Sequence, residues 1–193
     1  MTLIAQISDL HIKAHGRLSY KKVDTHAALL RVIDTLNQLV PRPDTVVITG
    51  DLVDFGTAEE YQTLREALRH LQLPFLLMPG NHDDRQQLRA AFPEHHYLQH
   101  GETLNWQMRV NHLQLLALDS SVPHQPWGYV DDAQLQWLAE QLAREPDLPT
   151  LVLLHHPPFL SGIGHMDRQP LRNPAALAAI VGQGDIHRRQ AGL

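Results

Sequence analysis

The chain has 193 residues, 43% of them hydrophobic, with a formal net charge of −5 and no cysteine. That length and apolar content suffice for one domain over residues 1–193 with a sizeable core, the acidic balance argues against the basic face of a nucleic-acid protein, and the missing cysteines remove disulfides and thiolate metal sites. No apolar run approaches the roughly 20 residues of a spanning helix, and the start MTLIAQISDLH lacks the build of a secretion signal, so a cytoplasmic protein without a membrane partner is expected.

Leu3 to Ile7 reads as a strand. From Asp24, apolar residues at Leu29, Leu30, Ile33, Leu36 and Leu39 repeat at helical spacing, and Pro41 and Pro43 mark the turn that follows. Thr45 to Thr49 is a second apolar strand. Thr57 with Glu60 three residues on matches a capping box before a helix through Tyr61, Leu64, Leu68 and Leu71. Pro74 opens a third strand, Phe75 to Met78. Leu104 to Val110 and Leu113 to Leu118 flank Asn111-His112 as a hairpin. Asp131 or Asp132 caps a helix through Leu135, Leu138 and Leu142. Thr150 to Leu154 is a further apolar strand, and Asn173-Pro174 starts a helix through Leu177 and Ile180. Strands that are apolar throughout are usually buried on both faces. The expected fold is therefore an α/β class, four-layer α/β/β/α sandwich.

Polar residues follow the strong strands at their carboxyl ends, where ligands bind in open α/β sheets. Ser8-Asp9-Leu10-His11 follows the first strand and Gly50-Asp51 the second. Pro79-Gly80-Asn81-His82-Asp83 follows the third, and His155-His156-Pro157-Pro158 follows Leu154. Asp, Asn and His supply oxygen and imidazole ligands suited to zinc, manganese, iron or cobalt. A lone Asp-x-His occurs often by chance, and a lone Gly-Asp is ordinary turn chemistry. Four such groups in this order, each after an apolar strand, carry the argument.

The series Asp-Leu-His, Gly-Asp, Gly-Asn-His-Asp and His-His-Pro-Pro resembles the calcineurin-like metallophosphoesterase superfamily, and within it the class III cyclic nucleotide phosphodiesterases and the bacterial glycerophosphodiester phosphodiesterases. The stretches ISDLHI, TGDLVDFGTAEEY, PGNHDD and LALDSS support it. The resemblance implies two divalent metal ions (Fe, Mn, Zn or Co). Asp9 and His11 match ligands of the first ion, Asp51 the bridging carboxylate, and Asn81 and His155 ligands of the second. His82 matches the histidine that contacts phosphate and protonates the leaving group or stabilises its charge, with Asp83 orienting it. His156 falls at a position that varies among relatives and reads as a supporting or substrate-facing residue, so substrate binding is assigned to Asn81, His82 and His156.

The implied reaction is hydrolysis of a small phosphodiester, a 3',5'-cyclic nucleotide or a glycerophosphodiester, by metal-activated hydroxide, with ions about 3.5–4 Å apart. The pattern departs at its end, where the family has a Gly-His-x-His loop. Either Gly184-Asp185-Ile186-His187 is a degenerate version with Asp185 and His187 as substitutes, or the chain stops before the loop, at Ala191-Gly192. Strand-then-loop order favours the second. It leaves an exposed sheet edge, so a homo-oligomer is an expected partner. The alternative function is a pseudoenzyme of the same fold that binds metal weakly.

Overall fold

The computed structural model describes residues 1–164 and 166–182. The apolar runs form parallel strands β1 (Ile4–Ile7), β2 (Thr45–Thr49) and β3 (Phe75–Met78), lying in that order with Ile4 opposite Thr45 and Val46 opposite Phe75. Every residue of the central strand β2 is buried. Parallel neighbours need a crossover, and helices α1 (Thr25–Gln38) and α2 (Ala58–Leu68) supply the two. Asp24 caps α1, accepting from the backbone of Ala27 at 2.8 Å. The capping box expected at Thr57 and Glu60 is present on α2. That helix stops at Leu68, and Leu71 is buried from the turn beyond it.

A short helix, α3 (Arg85–Ala91), has no counterpart in the sequence reading. Asp84 caps it through the Gln87 backbone. Two turns burying one residue, Leu88, are too few for a 3.6-residue period to stand out.

The second sheet has the order β4-β5-β6. β4 (Trp106–Val110) runs antiparallel to β5 (Leu113–Leu118), and β6 (Thr150–Leu154) lies parallel to β5. Between β5 and β6 runs α4 (Asp132–Arg144), whose cap is Asp131, in a box with Gln134. Leu104, expected in the first of these strands, lies before it, and its N–H donates to Asp119 instead of a strand neighbour. α5 (Pro174–Val181) begins on Pro174 as read, but Asn173 leaves the cap free and accepts from the backbone of Val130.

The layering follows from β5. Leu115 and Ala117 join the core shared with α1, α2 and the first sheet, whereas Leu116 and Leu118 join a second core with Leu135, Leu138 and Leu177 of α4 and α5. Successive strand side chains point to opposite faces, so one strand serves two cores and the sheets stack between helices. The fold is the expected α/β sandwich. The Trp106 indole ties the two sheets, donating to the carbonyl of Leu77 at 2.9 Å. No helix among the described residues is long and apolar enough to cross a membrane. The readings of Asp185, His187 and Gly192 lie outside the described residues.

Candidate dimetal centre

Beyond β1 and β2 the two chains stay side by side. Asp9 donates its N–H to Gly50 at 3.1 Å, His11 to Asp51 at 2.9 Å and Ile12 to Leu52 at 3.2 Å. Along this ladder the backbone enters the left-handed region at Asp9 (φ 56°), His11 (φ 42°) and Asp51 (φ 49°). That conformation is uncommon for residues with a Cβ, and such strain clusters at functional sites. The turns place Asp9, His11 and Asp51, the three side chains read from the first two strand ends, within one small space.

Asp51 lies at its centre, buried. One carboxylate oxygen is 3.6 Å from His11 Nε2, and the other is 3.4 Å from His155 Nε2 and accepts from the His82 backbone N–H at 3.0 Å. Asp9 approaches His11 Nε2 at 4.0 Å. His155 comes from the other sheet. Its Nδ1 donates to the carbonyl of Thr49 at 2.8 Å, which turns Nε2 towards Asp51. Burial, the largest single influence, would raise the Asp51 carboxyl, but the hydrogen bond and positive charge of His155 and the backbone N–H of His82 together outweigh it and hold the group at about 2. Burial likewise opposes charge on His155, yet Asp51 lifts that imidazole to about 9. Gly80 is required here, since a Cβ would collide with the Asp51 carboxylate.

Two groups of side chains present donor atoms within 4.8 Å of one another: Asp9, Asp51 and His155, and His11, Asp51 and His82. Asp51 is common to both. Imidazole and carboxylate donors suit borderline divalent cations, and a carboxylate with an imidazole facing each oxygen can serve two of them, so the residues present fit such a centre. Asn81 sits in the same loop, between Gly80 and His82, half-buried.

His82 is exposed at the mouth, its ring edge-on to His11 with centroids 4.7 Å apart. The hydrogen bond expected from Asp83 is replaced by another. His82 Nδ1 donates to the backbone carbonyl of Asp54 at 2.7 Å. Asp83 turns away and accepts from Gly80 N–H at 2.8 Å, Leu52 N–H at 3.1 Å and the Tyr61 hydroxyl at 2.8 Å. Burial pushes Asp83 up to about 6. Asp54 was missed by the sequence reading. Its carboxylate lies 3.4 Å from His11 Nδ1 and pairs with Lys13. The available signal was its place three residues past Asp51, in the loop that runs beside His11.

His156 is 2% exposed. Its Nδ1 lies 2.8 Å from the Ser120 hydroxyl, and burial pushes the ring down to about 4. The same hydroxyl oxygen accepts from the His156 backbone N–H at 3.5 Å. Gly128 packs against the ring so closely that a Cβ there would clash. The structure thus places His156 beneath the loop after β5.

A profile of the family described as calcineurin-like phosphoesterase matches residues 2–189. The chain belongs to the calcineurin-like phosphoesterase family. It is 38% identical to a probable glycerophosphodiester phosphodiesterase GpdQ of Arcobacter nitrofigilis, over 96% of this chain and 72% of that protein. It is 34% identical to a 3',5'-cyclic-nucleotide phosphodiesterase of Nostoc sp., over 92% of this chain and 65% of the relative. It is 30% identical to the 3',5'-cyclic adenosine monophosphate phosphodiesterase CpdA of Escherichia coli, over 92% and 63%. The chain therefore spans about two thirds of the length of the curated relatives it matches. Calcineurin-like phosphoesterases use a dimetal centre, and the two donor groups that share Asp51 are candidates for one in this member.

Proposed function

We propose that this chain, as one domain, is a metal-dependent phosphodiesterase acting on a small phosphodiester, a 3',5'-cyclic nucleotide or a glycerophosphodiester. The observation that carries the reading is Asp51, buried, ionised and facing an imidazole with each oxygen. Asp9, His11 and Asp51 would hold one ion, and Asn81, His155 and Asp51 the other, drawn from Fe, Mn, Zn or Co; Asp9 approaches His11 at 4.0 Å and also lies in the donor group with His155, so it stands between the two sets. When bound, the ions supply Lewis acidity towards phosphoryl oxygens and lower the pKa of water. The protein's own residues do the rest. Thr49 fixes the His155 tautomer through Nδ1, which leaves Nε2 free to ligate. The Asp54 carbonyl takes the Nδ1 proton of His82, so the proton that His82 can give to a departing alkoxide sits at Nε2. No observation among the described residues favours the alternative, a pseudoenzyme of the same fold that binds metal weakly.

The test loads the purified chain with manganese and assays a nitrophenyl phosphodiester, a cyclic nucleotide and a glycerophosphodiester. About two metals per chain and turnover of one natural diester are expected. Asp51→Ala should lose metal and activity together. Two metals retained per Asp51→Ala chain by elemental analysis would overturn the shared-carboxylate assignment.

A further inference from the structure

Tyr61 lies on α2, outside the proposed set of ligands, and its side chain is completely buried in the main core. A tyrosine in such a place normally finds a partner for its hydroxyl, and here the partner leads to the site. The hydroxyl donates to Asp83 Oδ1 at 2.8 Å and accepts from the backbone N–H of Asp84 at 3.0 Å. Asp83 in turn reaches two loops. Its Oδ2 accepts from Leu52 N–H at 3.1 Å and from Gly80 N–H at 2.8 Å, while Oδ1 also faces Val53 N–H at 3.4 Å. Leu52 follows Asp51 directly, and Gly80 directly precedes Asn81. One carboxylate thus staples the loop after β2 to the loop after β3, next to a candidate ligand on each.

We infer that Tyr61 is a positioning residue that fixes the separation of the Asp51 and Asn81 loops by locking the Asp83 carboxylate between them. This rests on the metal-site reading above. The physical reason is the softness of the carboxylate torsion, which has broad, two-fold preferences and no rotamer well to hold it. Backbone N–H donors from two separate loops fix it only while those loops stay in place. The hydroxyl comes from a helix anchored by its own core contacts, so it supplies a reference that neither loop provides. Tyr61 touches no reacting atom, and its effect passes through Asp83.

Tyr61→Phe removes only the hydroxyl and keeps the ring in the core. The control is Tyr97→Phe, the same substitution at a hydroxyl that accepts from the backbone N–H of Leu77 at 2.9 Å in β3 and has no bond to Asp83. Two measurements are made on the full chain. The first is affinity for manganese and zinc by competition with a chromophoric chelator. The second is amide hydrogen exchange at Leu52 and Gly80 in metal-free protein. Tyr61→Phe should weaken metal binding about tenfold, the lower end of what losing a supporting partner of metal ligands costs. Exchange at both amides should quicken in parallel. Tyr97→Phe should change either by less than about twofold while lowering thermal stability comparably. Asp83→Asn, which turns one acceptor into a donor facing an N–H, should reproduce the Tyr61→Phe pattern and serves if that variant does not fold. Wild-type affinity and exchange in Tyr61→Phe, or equal losses in the two tyrosine variants, would overturn the inference. A wild-type chain that takes up no metal would sink the functional reading instead, and the exchange measurement then decides the role of Tyr61 alone.

Discussion

At the scale of single residues, the geometry turns on which atom of each side chain is already engaged. His82 shows the principle. Its Nδ1 is committed to the Asp54 carbonyl, and its backbone N–H to Asp51. It also stands close enough to His11 and Asp51 to be a candidate donor itself. The acid role and the ligand role make different forecasts. With the acid role, His82→Ala keeps two metals per chain and loses about 10²–10⁴-fold in turnover, the usual worth of general acid help. The loss should be greatest for esters with poor leaving groups and smallest for nitrophenyl esters, whose departure needs little protonation. Steady-state assays on both ester types with parallel elemental analysis distinguish the cases, and loss of one metal would make His82 a ligand. The residue types at the strand ends were legible in the sequence because motif order survives without coordinates. The direction of the Asp83 side chain was not legible, because adjacency in sequence says nothing about it. Asp83 follows His82 directly but points back at Leu52 and Gly80.

At the scale of elements, the loop after β5 is held onto the end of β6 by a buried polar contact. His156 Nδ1 and the Ser120 hydroxyl share a hydrogen bond, and Gly128 packs against the same ring. The backbone of Gly128 is also bonded to Pro170 and Arg172, so the glycine cannot retreat from an added methyl without breaking the strand-like bridge to Leu171. Gly128→Ala should therefore destabilise by about 1–3 kcal/mol, the range for overpacking a tight site. In a His156→Ala background the same change should cost much less, because the clashing ring is gone, and side chains in contact give non-additive effects. Urea denaturation of the four proteins measures the cycle. Additive losses would mean that the ring and the glycine do not press on one another. The strands and the long helices were legible from apolar periodicity and capping residues, and α3 escaped because its two turns bury only Leu88 within the helix.

At the scale of the whole molecule, the described part of the second sheet ends on β6. Among the described residues this strand pairs only with β5, and Leu151 on it is exposed. A free apolar edge is a template for pairing with another chain. The 193-residue chain should accordingly associate as its concentration rises, and Leu151→Lys should reduce this, since a lysine on an edge opposes pairing. Light scattering across about a hundredfold range of concentration reads the outcome. A monodisperse monomer throughout would show that the edge is covered. The two cores meeting on β5 make the stacking of the sheets a property of one strand's alternation, with Leu115 and Ala117 on one side and Leu116 and Leu118 on the other.

The sequence by itself determined the strands, the longer helices and the order in which the strands' carboxyl ends present metal-binding groups. These are local properties, written in apolar period, caps and turn residues within a few positions of one another. It also determined the layering, because strands apolar on both faces must be covered on both. Only the tertiary structure decided that Asp51 stands between His11 and His155. The first imidazole comes from the neighbouring strand of the same sheet, and the second crosses from the other sheet to rest on the carbonyl of Thr49. It alone decided that Asp54 rather than Asp83 holds His82, and that Tyr61, twenty-two positions before Asp83, reaches its carboxylate. These contacts depend on how one loop lies against another, and side-chain direction across a packed interface has no signature in the spacing of residues along a chain.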